Sequence, residues 1–141
     1  ALIEKKNVPI TITNVSDTSK VTGFLEDKAS PDFGGVAKGR SLSFDAKDTK
    51  SRTSFPLGNV SPHQVEYLRK HAIQGGISFL IIYFQSHKKT YIIDFDQFAT
   101  WWDAAAEGGR KSIPYDFFEL NCRLCKPGRN LTIDYLASLG I

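Results

Sequence analysis

The spacing of apolar and polar residues marks out a series of short elements. Residues 40–47 alternate, with Leu42, Phe44 and Ala46 on one face and Ser43, Asp45 and Lys47 on the other, as a half-buried strand requires. Residues 33–37 can run as its partner. Lys38-Gly39 between them is a two-residue hairpin loop, because glycine tolerates the positive φ that such turns need. That loop sets Asp32 opposite Asp45 and Ser30 opposite Lys47. A three-residue loop would shift the pairing by one position and separate the two carboxylates.

Upstream, residues 9–15 (PITITNV) alternate β-branched and polar side chains and read as a strand. The polar tract 16–20 is a loop tip, and residues 21–25 return. This hairpin has little apolar material to bury, so it is an exposed edge or a protruding arm. Downstream, residues 49–54 form a polar linker and Phe55-Pro56-Leu57 a docked turn. A helix then opens at Ser61, with Pro62 at its first position and Gln64 at capping-box spacing. Gln64 can equally turn towards the acidic face of the hairpin. Val65, Leu68 and Ala72 give this helix its apolar stripe, and Gly75-Gly76 end it.

Residues 77–84 (ISFLIIYF) are apolar throughout, the pattern of a central strand covered on both faces. Residues 85–89 turn, and 90–95 supply the next strand. Asp96 is then expected to cap a helix carrying Phe98, Trp101 and Trp102, closed by Gly108-Gly109. The paired tryptophans suit a packed edge or a dimer contact. Ser112-Ile113-Pro114 opens a short helix with Phe117, Phe118 and Leu120 as its buried members, and residues 131–139 form a last amphipathic helix. The order predicts an α/β fold, with helices flanking one mixed sheet.

At 141 residues the chain makes one domain, 1–141, with a sizeable core. Its 41% hydrophobic and 23% charged residues exclude an extensively disordered chain. The net charge of +3 is a mild tilt towards a polyanion, so clustering matters more than the total. Lys38, Arg40, Lys47, Lys50 and Arg52 do cluster, with only Asp45 and Asp48 among them. A groove lined in this way would contact phosphates, with an affinity that falls steeply with salt. The two cysteines, Cys122 and Cys125, lack a second ligand pair for zinc and read as free thiols of a cytoplasmic protein. The first fifteen residues lack the apolar stretch of a secretory signal, and the run 77–84 is too short to span a bilayer, so no membrane partner is expected.

The chemistry centres on the hairpin. Directly opposed carboxylates, with Cβ atoms roughly 4.5–5.5 Å apart, repel each other. A divalent cation removes that cost, and Mg²⁺ in particular binds through one or two carboxylates plus waters and phosphate oxygens. Lys47, on the face of Asp45, could orient an attacking water or neutralise charge on a phosphate. This is the layout of a metal-dependent phosphodiesterase. Taken alone, Asp-x-Lys also suits a solvated strand face.

The wording around these residues is more specific. Pro31-Asp32 with Asp45-Ala46-Lys47 resembles the PD-(D/E)xK signature of restriction-endonuclease-like nucleases. Asp32-Phe33-Gly34-Gly35-Val36, Lys38-Gly39-Arg40, Phe44 to Lys50, Phe55-Pro56-Leu57, His63-Gln64, Gly75 to Phe79 and Asp134-Tyr135-Leu136 together resemble the RecU family of Holliday junction resolvases, over nearly the whole chain. The resemblance implies a restriction-endonuclease-like mixed sheet with a protruding N-terminal hairpin, residues 9–28, that enters the centre of a four-way DNA junction. It implies a homodimer making paired nicks, with Mg²⁺ as cofactor and Mn²⁺ as a substitute, and recombination proteins as further partners. Asp32 and Asp45 would be metal ligands and Lys47 would assist the nucleophile, with Ser30 and Gln64 as neighbours. Lys20, Lys38, Arg40, Lys50 and Arg52 would contact DNA. Two departures stand out: Asp45 occupies a position where RecU sequences usually carry Glu, and a helix that ordinarily precedes the first strand is not in this sequence. Alternatives are another restriction-like or phage DNA repair nuclease, and a junction-binding module without turnover.

Overall fold

The computed structural model describes residues 32–125 in full and, before them, the backbone of three strands. These are β1 (Leu2–Lys5), β2 (Ile10–Val15) and β3 (Val21–Leu25). β2 and β3 pair antiparallel as a sheet of their own, with a register shift between Ile12 and Asn14. The tip at 16–20 and the last helix expected at 131–139 lie outside the described residues.

β4 (Phe33–Ala37) and β5 (Arg40–Thr49) form the expected hairpin. Lys38 and Gly39 both have positive φ, 47° and 79°, as a two-residue turn matched to strand twist requires. Phe33 pairs with Phe44 and Ala37 with Arg40, the register that a two-residue loop dictates. β6 (Ser54–Pro56) and a 3-10 turn (Leu57–Asn59) lead into helix α1 (Pro62–Ile73). β7 (Ile77–Phe84) follows, then β8 (Lys89–Asp94), α2 (Phe95–Ala106), β9 (Ser112–Pro114), α3 (Tyr115–Asn121) and β10 (Arg123–Cys125).

The main sheet has six strands in the order β1-β4-β5-β7-β8-β10. β5 and β7 run parallel, joined by α1 as a crossover, and the other described pairs are antiparallel. β7, apolar except for the buried Ser78, whose hydroxyl donates to the Leu68 carbonyl at 3.0 Å, lies inside the sheet with apolar residues on both of its faces. Leu80, Ile82 and Phe84 join the larger core with Val65 and Leu68 of α1 and Phe95 and Phe98 of α2. Ile77, Phe79 and Ile81 join a smaller core with Leu42, Phe44 and Ile92 on the other face. The result is the mixed α/β architecture expected, consistent with a restriction-endonuclease-like fold.

Four local expectations are corrected. The cap of α2 is Asp94 rather than Asp96, because Gln97 stands three residues after Asp94 and its Oε1 accepts from the Asp94 amide at 3.1 Å, closing a capping box. Residues 112–114 are a strand paired with β6, and the short helix starts at Tyr115. Leu120 is 82% exposed: Tyr115 and Phe118, one turn apart, supply the buried face, and Leu120 points away from it. Phe55 belongs to a paired strand rather than a turn. Trp101 and Trp102 are half-buried and pack on Phe117 and Phe98, ring centroids 5.4 and 5.7 Å apart.

Candidate active site on the hairpin

Parallel pairing fixes which face of β5 carries the chemistry. Asp45 lies beside Leu80 and Lys47 beside Ile82, so both side chains stand on the face covered by α1. Asp45 is fully buried, with 0% exposure. Its Oδ1 accepts from the Ala46 amide at 3.0 Å. Its Oδ2 accepts from Gln64 Nε2 at 2.6 Å and lies 3.4 Å from Lys47 Nζ. Lys47 keeps partial access to solvent.

Gln64 answers the question the sequence left open by doing both things. Its Oε1 accepts from the Ser61 amide at 3.3 Å, which completes the capping box of α1, while its amide nitrogen donates to Asp45. Pro62 at the first turn and Ser61 Oγ, which accepts from the His63 amide at 3.2 Å, fix the start of that helix. The cap therefore sets the position of a donor to the buried acid.

Asp32 sits just before β4, exposed, in line with the register that opposes it to Asp45. The two side chains interact. Burial pushes the Asp45 carboxyl up from 3.8 to about 6, Lys47's charge opposes that rise, and the charge of Asp32 and a hydrogen bond with it add to it. An acid held this close to neutral protonation by its fold, next to a second acid, is a pair short of positive charge. Among the described residues no group of three or more His, Cys, Asp or Glu side chains gathers to hold a metal. Two carboxylates suit an ion that keeps most of its waters, and hard oxygen donors suit Mg²⁺. The donor set present fits that cation.

The structure brings Asp32, Asp45, Lys47 and Gln64 together. Ser30 and Lys20 lie outside the described residues. Lys38, Arg40, Lys50 and Arg52 are all exposed, and Arg40 Nη2 donates to the Gly75 carbonyl at 3.1 Å, which tethers the hairpin turn to the loop after α1. Two residues that sequence reasoning passed over, Asn59 and Tyr83, line a cavity that Lys47 also borders. Neither carried a signal: one sits in a turn and the other inside an apolar run. Cys122 and Cys125 form no disulfide, and burial, with the nearby charge of Asp94, pushes the Cys122 thiol up to about 12, far from a reactive thiolate. No helix among the described residues is long and apolar enough to cross a membrane.

Comparison with known proteins extends the picture beyond the site. The chain matches the family model described as Recombination protein U, RecU, over residues 1–140. It is 35% identical over 144 residues to the Holliday junction resolvase RecU of Oceanobacillus iheyensis, covering 99% of this chain and 74% of that protein. It is 39% identical over 120 residues to the Holliday junction resolvase RecU of Levilactobacillus brevis, with 82% and 60% covered. For the protein of the same name from Geobacillus kaustophilus the figures are 32% over 142 residues, with 97% and 71% covered. The chain thus spans between 60% and 74% of the length of these relatives. Since the match runs from the first strand, through the acid pair, to the penultimate residue, the chain belongs to the RecU family.

Proposed function

We propose that this chain is the nuclease body of a Holliday junction resolvase, hydrolysing phosphodiester bonds of four-way DNA junctions in recombination and repair. The observation that carries the reading is the buried Asp45 carboxyl held between Asp32, Lys47 and Gln64, in a chain of the RecU family. Asp32 and Asp45 would hold Mg²⁺, with Mn²⁺ as a substitute, and the ion when bound supplies charge neutralisation at the phosphate and an activated water. Lys47, the part-exposed member, faces the attacking water or the phosphate oxygens as a donor and a positive charge. Gln64 acts on the reaction through Asp45, fixing the orientation of its carboxylate.

Cutting a junction needs two strands opened together, and a homodimer with sites related by a twofold axis meets that need. The hairpin β2–β3 serves as the arm that enters the junction's centre, and the exposed Lys38, Arg40, Lys50 and Arg52 hold the flanking backbone. Recombination proteins are natural partners and the cytoplasm the compartment. The test is incubation of the purified chain with a labelled mobile four-way junction, a flap and a linear duplex of matched sequence, with and without Mg²⁺. Symmetric Mg²⁺-dependent nicks confined to the junction are expected. Equal cutting of all three substrates points to a less selective repair nuclease, and binding without nicks to a junction-binding module.

A further inference from the structure

Tyr83 is at odds with its own strand. Every other residue of β7 is buried, yet Tyr83 is 39% exposed, and among the described residues its ring stacks on no other ring. Its partner on β5 is Asp48, the residue after Lys47. With Ala46, Lys47 and Asn59, these two line an open cavity of about 640 Å³, within the size range of small-molecule sites. Gln85 Nε2 donates to Asp48 Oδ2 at 2.9 Å, which anchors the carboxylate and leaves acceptor capacity on Oδ1. Asn59 is exposed, with an amide that both donates and accepts.

A carboxylate beside the path of a phosphate backbone is repulsive unless a donor meets it. A nucleobase edge supplies such a donor, and an exposed aromatic ring supplies a stacking surface for its face. We propose that this cavity is a slot for one unstacked nucleobase next to the cleaved phosphate, stacked on Tyr83 and chosen by Asp48 and Asn59 for an amino-bearing edge. Adenine, cytosine and guanine present that amino group, whereas thymine presents only an N3–H flanked by two carbonyl oxygens that the Asp48 carboxylate repels. The slot rests on the reading of Lys47's surroundings as the cutting site: Asp48 and Tyr83 stand on the sheet face opposite Asp45, and Lys47, between Ala46 and Asp48 on β5, is the residue that borders both the cavity and that site.

The test uses four-way junctions carrying each of the four bases in turn at positions around the crossover, with nicks mapped at nucleotide resolution. At one position flanking the cut the unaltered chain favours the amino-bearing bases over thymine by at least about fivefold. Tyr83→Ala and Asp48→Asn reduce that ratio to below about twofold, and Tyr83→Phe, which keeps the ring, retains it. No preference in the unaltered chain, or the same preference in Tyr83→Ala and Asp48→Asn, overturns the slot and leaves the nuclease reading standing. A second measurement needs no turnover: 2-aminopurine scanned along the same strand, with emission read on binding without metal. Lower emission with the unaltered chain than with Tyr83→Ala at one position supports the slot even if no nicks form, in which case the nuclease reading falls alone. Equal emission at every position overturns the slot.

Discussion

Phe44 and Asp45 are neighbours on one strand and equally hidden from solvent, at 2% and 0% exposure, yet their burial means opposite things. Phe44 lies between Phe33 and Phe79, with ring centroids 4.9 and 4.6 Å apart and planes within 5° and 9° of parallel. That stack ties β4, β5 and β7 together, and burying such rings is where a sheet gains stability. One residue on, across the sheet, an equally buried carboxyl has its protonation pushed towards neutral pH by the same exclusion of water. The fold stabilises itself on one face of β5 and bears a cost on the other. A buried acid that weakens the fold, held by a donor that is itself fixed by a helix cap, marks a site built for chemistry.

The largest effect is expected at Phe44. Phe44→Ala opens a void in the middle of the stack and is expected to cost about 3–5 kcal/mol, read as a lower midpoint of denaturant unfolding with its slope unchanged. Asp45→Asn does the reverse on the other face. Nicking of junctions falls by at least about 10²-fold, as expected when a preorganised charge at the reacting centre is removed. Stability at pH 7 rises, by up to about 3 kcal/mol if the whole two-unit difference between 3.8 and about 6 is recovered. The sign follows from the raised pKa. The folded state favours the protonated acid, so this group's contribution is complete below pH 3.8 and lost as pH rises through about 6. Unfolding measured from pH 4 to 7 therefore shows a stability decline in the parent that flattens in Asp45→Asn.

A finer cut separates the two roles of Gln64. Gln64→Glu keeps an oxygen for the Ser61 amide and removes the donor to Asp45, so α1 stays capped while the acid pair gains a third carboxylate. Nicking is expected to drop about 10–100-fold, the range seen when a group orienting a metal ligand is lost. Gln64→Ala loses the cap, at a cost of about 1 kcal/mol in stability relative to the parent, measured at a pH low enough to protonate the acids. Stability of Gln64→Ala equal to that of the parent would mean the cap contributes nothing.

What could be read in advance follows from how local each feature is. The hairpin register needs only Lys38-Gly39 and the alternation after it, so the opposition of Asp32 and Asp45 was legible. Gln64 was legible from its spacing to Ser61. β1 was not, because its four residues, LIEK, make a strand only when β4 supplies the partner. The strand at 112–114 likewise exists through pairing with β6, against a sequence that opens a helix equally well. The cap of α2 was misplaced by two residues because Asp94 and Asp96 are the same residue type and only Gln97 tells them apart. Tyr83 was invisible for a different reason: inside ISFLIIYF nothing distinguishes the one side chain that tertiary packing leaves open.

The most direct test is a carbon-detected NMR titration of the Asp45 carboxyl, repeated with Mg²⁺ present. A midpoint near pH 6 is expected in the free protein, displaced well downwards by the cation, with no such displacement in Asp32→Asn. A midpoint near 3.8 that ignores both the cation and Asp32 would contradict it, because the two acids would then share neither a field nor an ion.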